Sequence, residues 1–116
     1  MDTLIAAEIL AALGHESRLA IFRLLVEAGP DGINATAIGE KLGIPNATLS
    51  FHLSHLSRVG LIKGERESRF IHYSAEYATM DELIGFLTRN CCQGSQCLPT
   101  TQAVATTAKR RAKVKA

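Results

Sequence analysis

No apolar run in this chain reaches the roughly 18 residues that a membrane helix needs, because Asp2, Glu8 and His15 interrupt the N-terminal one. That N-terminus also lacks the basic start and cleavage site of a signal peptide. These absences lead to the expectation of a cytoplasmic protein with no membrane partner, in a compartment where thiols stay reduced. Cysteine is absent before Cys91, and all three cysteines fall in Asn90-Cys91-Cys92-Gln93-Gly94-Ser95-Gln96-Cys97. With nothing else reactive near them, three such thiols suit a soft thiophilic ion better than an enzyme's active centre or a structural staple. Acid is absent after Cys97, where Lys109, Arg110, Arg111, Lys113 and Lys115 lie. Residues 1–97 are left with 8 basic against 11 acidic side chains, so the overall charge of +2 says little about partners. Any nucleic-acid surface has to be a local patch.

At 116 residues the chain is long enough for one hydrophobic core but not for two. Residues 3–13 read as a helix opened by Asp2 or Thr3 and stopped by Gly14. Its Leu4, Ile5, Ile9, Leu10 and Leu13 spread over more than half the circumference, whereas packing on one core needs only a stripe. The surplus suggests a second buried face, most simply in a homodimer; a mobile N-terminus is the alternative. Ser17–Ala28 form the next helix, with Ser17 as its N-cap candidate and Gly29-Pro30-Asp31-Gly32 as the break. Asn34 then caps a short third helix ending at Leu42-Gly43, with Ile33 and Ile38 at the staple positions around it.

Pro45 fits the first position of a fourth helix, in which Leu49, Leu53 and Leu56 recur at helical spacing until Gly60. Two helices joined through a glycine-containing turn make a helix-turn-helix candidate. With Leu49 inward, Ala47, Ser50, Phe51, Ser54 and Arg58 point out, and Asn46 sits at the exposed N-terminal end. Small outward residues let a helix enter the major groove, where Asn46 and Ser50 can bond base edges or phosphates. Phe51 either meets a thymine methyl or packs on a neighbouring element. His52 is expected to pack rather than read bases, and His55 is a candidate phosphate contact.

Leu61–Glu65 and Ser68–Tyr73 read as two strands around Arg66-Glu67, a basic-tipped wing. Alternation puts Ile71 and Tyr73 on one face, Phe70 and His72 on the other. Arg66 and Arg69 are candidates for phosphate or minor-groove contact; the alternative is a solvated hairpin with salt bridges to Glu65 and Glu67. Thr79-Met80-Asp81-Glu82 resembles a capping box opening a last helix, with Met80, Leu83, Ile84 and Leu87 facing inward. Gly94 is placed as its stop, which would put Cys91 and Cys92 on the last turn and Cys97 in the loop beyond. A thiol enzyme would need a base or a helix N-terminus beside its nucleophile, so no catalytic residue is expected. Residues 98–116 lack a core-forming pattern and are expected to be disordered. The basic end serves either as weak nonspecific attraction to DNA or as a solubilising tail.

Ala12-Leu13-Gly14, Arg18-Leu19-Ala20-Ile21 and Leu49-Ser50-Phe51-His52-Leu53-Ser54-His55-Leu56 before Gly60-Leu61-Ile62 resemble the ArsR/SmtB family of metal-sensing repressors, over about residues 4–92. The resemblance implies a mainly α fold with a small β-hairpin, a winged helix-turn-helix, and a homodimer formed through the first and last helices. Residues 1–92 would be the DNA-binding domain with its dimerisation helices, and 93–116 a metalloid-binding loop and tail. It further implies an operator-binding repressor released by an inducer. Two known sensor positions are empty: no cysteine lies between Ile33 and Leu42, and no histidine between Asp81 and Asn90. What remains resembles the arsenite-responsive subgroup, with Cys91, Cys92 and Cys97 in the ligand roles.

Trivalent arsenic forms three bonds, and three soft thiolates suit it; zinc would want four ligands. Arsenous acid and three thiols give the trithiolate and three waters with no net proton release, so the expected inducer is arsenite, with antimonite as a variant and no organic cofactor. A bond between Cys91 and Cys92 would be strained, since adjacent Cα atoms lie about 3.8 Å apart, below the usual disulfide range. A Cys92–Cys97 bond could close. A redox-sensing regulator of the same fold, or a sensor of another soft metal ion, therefore stays as the alternative.

Overall fold

The computed structural model describes residues 1–94; Cys97, the loop around it and the basic tail lie outside the described residues. The elements run α1 (Thr3–Leu13), α2 (Glu16–Ala28), β1 (Ile33–Asn34), α3 (Ala35–Leu42), α4 (Asn46–Arg58), β2 (Ile62–Glu67), β3 (Phe70–Ala75) and α5 (Tyr77–Thr88), then a short 3₁₀ turn, Cys91–Gly94. The chain divides into two compact units, Met1–Phe86 and Leu87–Ala116.

In the first unit, α2, α3 and α4 pack against the inner end of a small antiparallel sheet of order β1-β3-β2, whose outer end is exposed. The core gathers Ile9 from α1, Ile21 and Leu25 from α2, Ile38 from α3, Leu49, Leu53 and Leu56 from α4, and Leu61, Ile62 and Leu83. Helix ends explain much of this arrangement. The Asp2 carboxylate accepts from the Ile5 amide at 2.9 Å and opens α1. Asn34 does the same for α3, accepting from Ala37 at 2.8 Å. Gly43, with φ 67°, turns the chain left-handed between α3 and α4. Gly39 makes that corner tight, since a Cβ there would lie 3.2 Å from the Ile44 carbonyl oxygen and 3.3 Å from a Leu49 methyl.

Several boundaries differ from the sequence expectation. α2 starts one residue before Ser17 and is capped by the His15 ring, whose Nδ1 accepts from the Ser17 amide at 3.1 Å. Pro45 occupies the N-cap of α4 in extended conformation, not the first helical position. β1 joins the wing to make three strands, because Ile33 and Asn34 find Tyr73 and His72 already extended beside them. The wing turn is Ser68-Arg69, not Arg66-Glu67: Glu67 pairs with Phe70, Arg66 with Ile71, and Ser68 takes a φ of 59°. α5 starts at Tyr77, so Thr79 lies inside the helix and the apparent capping box does not open it. The start is fixed instead by the Glu76 carbonyl, which accepts from the Thr79 and Met80 amides, and by the Tyr77 hydroxyl, which donates to the Val26 carbonyl oxygen at 3.0 Å.

The apolar surplus on α1 is real. Ala6, Ile9 and Ala12 face the core, while Leu4, Ile5 and Leu10 are exposed, Leu4 at 70 %. On α5 only Leu83 is buried; Ile84 and Leu87, expected inward, are exposed. Both helices carry more apolar surface than this one chain covers.

Candidate nucleic-acid interface and thiol turn

α4 presents its small polar side to solvent. Asn46, Ala47, Ser50, Phe51, Ser54 and Arg58 are all exposed, as the inward placement of Leu49 requires. Phe51 is 63 % exposed, an aromatic ring in water beside two serines. Its ring meets that of His52 in a T-shaped arrangement, with centroids 5.8 Å apart. His52 itself is buried, and His55 is half-buried. Both histidines have pKa values below the ordinary 6.5. For His52 burial is the first cause, followed by the neighbouring charges of His15, Arg18 and His55. For His55 burial again leads, followed by Arg18 and Arg58.

The wing follows one short turn after α4. Direct cross-strand pairing puts Arg66 on the face of Ile71 and Tyr73, and Glu65 and Glu67 on the face of Phe70 and His72. Among the described residues neither Arg66 nor Arg69 is ion-paired; the carboxylate contact on the wing is between Glu67 and His72, at 3.2 Å. Arg69 sits at the turn itself. Gly64 is what allows the strands to lie close. A Cβ there would come within 2.9 Å of the Tyr73 ring and 3.0 Å of an Ile71 methyl. The ring thus lies across the glycine and stiffens the base of the wing.

A helix-turn-helix domain model matches residues 13–65, which run from the end of α1 to the middle of β2. The chain is 37 % identical over 87 residues to the uncharacterized HTH-type transcriptional regulator YceK of Bacillus subtilis, a match covering 74 % of this chain and 86 % of that protein. The chain belongs to the HTH-type transcriptional regulators. It is also 30 % identical over 94 residues to the transcriptional activator HlyU of Vibrio cholerae, covering 78 % of this chain and 82 % of HlyU. Among solved structures, it matches a homodimeric winged helix-turn-helix DNA-binding domain from Mycobacterium bovis, a possible ArsR-family regulator, with a TM-score of 0.59 at 24 % identity. That match covers 81 % of this chain and 87 % of the other and shows the shared fold. In an HTH-type regulator of this fold, α3 and α4 are the helix-turn-helix and β2–β3 the wing.

Cys91 and Cys92 of this regulator lie beyond α5, not on its last turn. α5 ends at Thr88, and Asn90, with φ 60°, stops it four residues before Gly94 could. Asparagine is the residue other than glycine that most readily takes this left-handed position. Cys92 and Gln93 are also left-handed, at φ 54° and 59°. Cys91 carries a free, half-buried thiol that donates to the Cys92 sulfur at 3.5 Å. Cys92 is disulfide-bonded. Two soft ion–sulfur bonds of about 2.3 Å, at angles from a right angle to tetrahedral, set sulfurs roughly 3.3–3.8 Å apart. The Cys91–Cys92 spacing lies in that range, with Cys92 in its disulfide-bonded state. Among the described residues no group of three or more histidine, cysteine or acidic side chains is arranged to hold a metal; Cys97, the third expected ligand, lies outside them.

Proposed function

We propose that this regulator is a cytoplasmic, homodimeric repressor that binds operator DNA and lets go when trivalent arsenic, or antimony, is held by the thiolates of Cys91, Cys92 and Cys97. The observation that carries the reading is the Cys91–Cys92 sulfur pair, 3.5 Å apart just past the end of α5. For the DNA contact, support comes from the exposed small-residue side of α4 and from the unpaired arginines of the wing. Asn46, Ala47, Ser50, Phe51, Ser54 and Arg58 enter the major groove, and Arg66 and Arg69 reach the backbone or minor groove. For the dimer, support comes from the uncovered apolar sides of α1 and α5. A twofold dimer would set two recognition helices about 34 Å apart along the operator.

Cys91, Cys92 and Cys97 would hold the arsenic through their sulfurs, and the thiol protons would leave as water with the three hydroxides of arsenous acid. What this chain would contribute, once Cys92 is reduced, is a turn that sets the Cys91 and Cys92 sulfurs close together. Because the turn follows directly on α5, reorganising it changes the end of a helix assigned to the dimer. Ligand and DNA then oppose each other through a coupling free energy, commonly about 1–3 kcal/mol.

One observation favours a second reading, a redox-sensing regulator: Cys92 is in a disulfide. Forming that bond releases two protons and two electrons to an oxidant such as a peroxide, and leaves too few thiols for arsenite. Gel-shift titrations of the wild type and of Cys91→Ser, Cys92→Ser and Cys97→Ser separate the readings. With arsenite under reducing conditions, all three variants should bind DNA but resist release. Release by peroxide and not by arsenite would replace arsenic sensing with redox sensing. Loss of DNA binding in the variants would make the cysteines structural. Methylarsenite, which two thiols can hold, tests Cys97 alone.

A further inference from the structure

Arg18, near the start of α2, reaches in two directions. Its Nε donates to the Ala12 carbonyl oxygen at 2.7 Å, at the end of α1. Its Nη1 lies 3.3 Å from Nδ1 of His52, which is 34 residues away and buried in α4. A guanidinium has no lone pair to offer, so Nδ1 of His52 is the acceptor, the ring is neutral and its proton sits on Nε2. The His15 ring also lies against His52, with centroids 4.7 Å apart and planes tilted by 49°. Besides the Phe51 ring, the titratable and charged groups facing His52 are His15 and Arg18 from α2 and its cap, and His55 from α4 itself. α1 contributes the Ala12 carbonyl, which accepts the other arm of the guanidinium.

We propose that Arg18 is a positioning residue for DNA recognition, fastening the recognition helix to the carbonyl end of α1 through neutral His52. The inference rests on the reading of α4 as the DNA-contacting helix. A cation is already favoured at a helix C-terminus, so Arg18 is held at α1 whether or not His52 accepts. His52 is the half of the link that can be switched. Protonation would remove its acceptor and place a second positive charge against the guanidinium. The arm from Arg18 would then lose its hold on α4, while α1 kept its cap. The lowered pKa of His52, from burial first and then from the cations around it, keeps the link made at neutral pH. α1 also carries the exposed apolar face assigned to the dimer. The tilt of each recognition helix is therefore set relative to the helix that sets the spacing between subunits.

The test uses the full chain and a duplex selected from a random library by the wild type at about pH 7.5. His52→Asn keeps an acceptor near the Nδ1 position but cannot titrate, and His55 is present in both proteins, so its own protonation cancels in the comparison. Between about pH 7.5 and pH 5, wild-type affinity should fall roughly fivefold or more relative to His52→Asn. Parallel profiles would overturn the proposal. Histidine and amide NMR of the wild type gives a readout that needs no variant and no DNA. His52 should be protonated on Nε2 at neutral pH, and the amides of Ser50 and Ser54 should shift with the midpoint of its ring. Amides of α4 that stay still while His52 gains its proton overturn the coupling. Failure to select any duplex defeats the DNA reading instead, and the NMR titration then decides the link between α1 and α4 alone.

Discussion

Leu4→Ala should weaken the proposed dimer while leaving the fold of each subunit nearly untouched. The substitution removes three carbons, worth about 2.4 kcal/mol when taken wholly out of water at ~0.8 kcal/mol per methylene. Leu4 is 70 % exposed in the single chain, so only that share remains for a partner to bury, about 1.7 kcal/mol. A twofold interface contains the residue twice, and complete coverage would make the loss about 3.4 kcal/mol, a roughly 300-fold weaker dimer Kd. Sedimentation over a wide concentration range measures that constant directly. Ile9→Ala is the contrast: Ile9 is 1 % exposed on the opposite side of the same helix, and its truncation should cost about 2–5 kcal/mol of fold stability. A Leu4→Ala dimer constant within about threefold of wild type would refute the assignment of α1 to the interface.

Phe51→Ala should lower affinity for a thymine-containing selected site by roughly tenfold, with the specificity cost of a single lost base contact; its exposure means the melting temperature should stay put. Arg66→Ala and Arg69→Ala, measured by anisotropy across a salt series, should each flatten the slope of log affinity against log salt by about 0.9 if each neutralises one phosphate. Gly64→Val should displace the Tyr73 ring and weaken DNA binding while the helices survive, as far-UV circular dichroism would show. Fold stability should also fall on acidification. Because His52 and His55 have lowered folded pKa values, the unfolded chain takes up protons first, near pH 6.5. The stability present above that pH is lost as pH falls through their folded values, which denaturant titrations from about pH 8 to pH 5 would follow. Arsenite affinity, by contrast, should be nearly flat with pH around neutrality, and a steep rise would count against the proton balance.

Local chemistry was the legible part of the fold. Asp2, Asn34 and Gly43 act within a few residues of themselves, and each sits where its side chain or its missing side chain demands. The outward set on α4 follows from one inward leucine and the helical period. What could not be read was decided by distant partners. β1 exists because β3 lies beside it. α5 begins early because the Tyr77 hydroxyl docks on Val26, while Thr79 to Glu82 offer a plausible but unused start. The wing turn slipped because Ser68, with its positive φ, carries no turn signature comparable to glycine or asparagine. At the thiol turn, Asn90 outcompeted Gly94 as the helix stop by coming first. The Arg18–His52 contact joins residues with no sequence relation, and its only trace is a basic residue and a histidine on otherwise apolar faces.

The two-residue strand β1 has a mechanical meaning. Asn34 pairs with His72 of the wing and, through its side chain, starts the helix-turn-helix at Ala37. One residue is thus shared between two parts often drawn as separate modules. Moving the wing away from α3 would pull on the residue whose side chain caps α3's first turn. Through Asn34 the wing and the first turn of α3 are therefore joined as one unit. Hydrogen exchange should report this directly, with the amides of Ala37 and His72 opening together rather than one at a time.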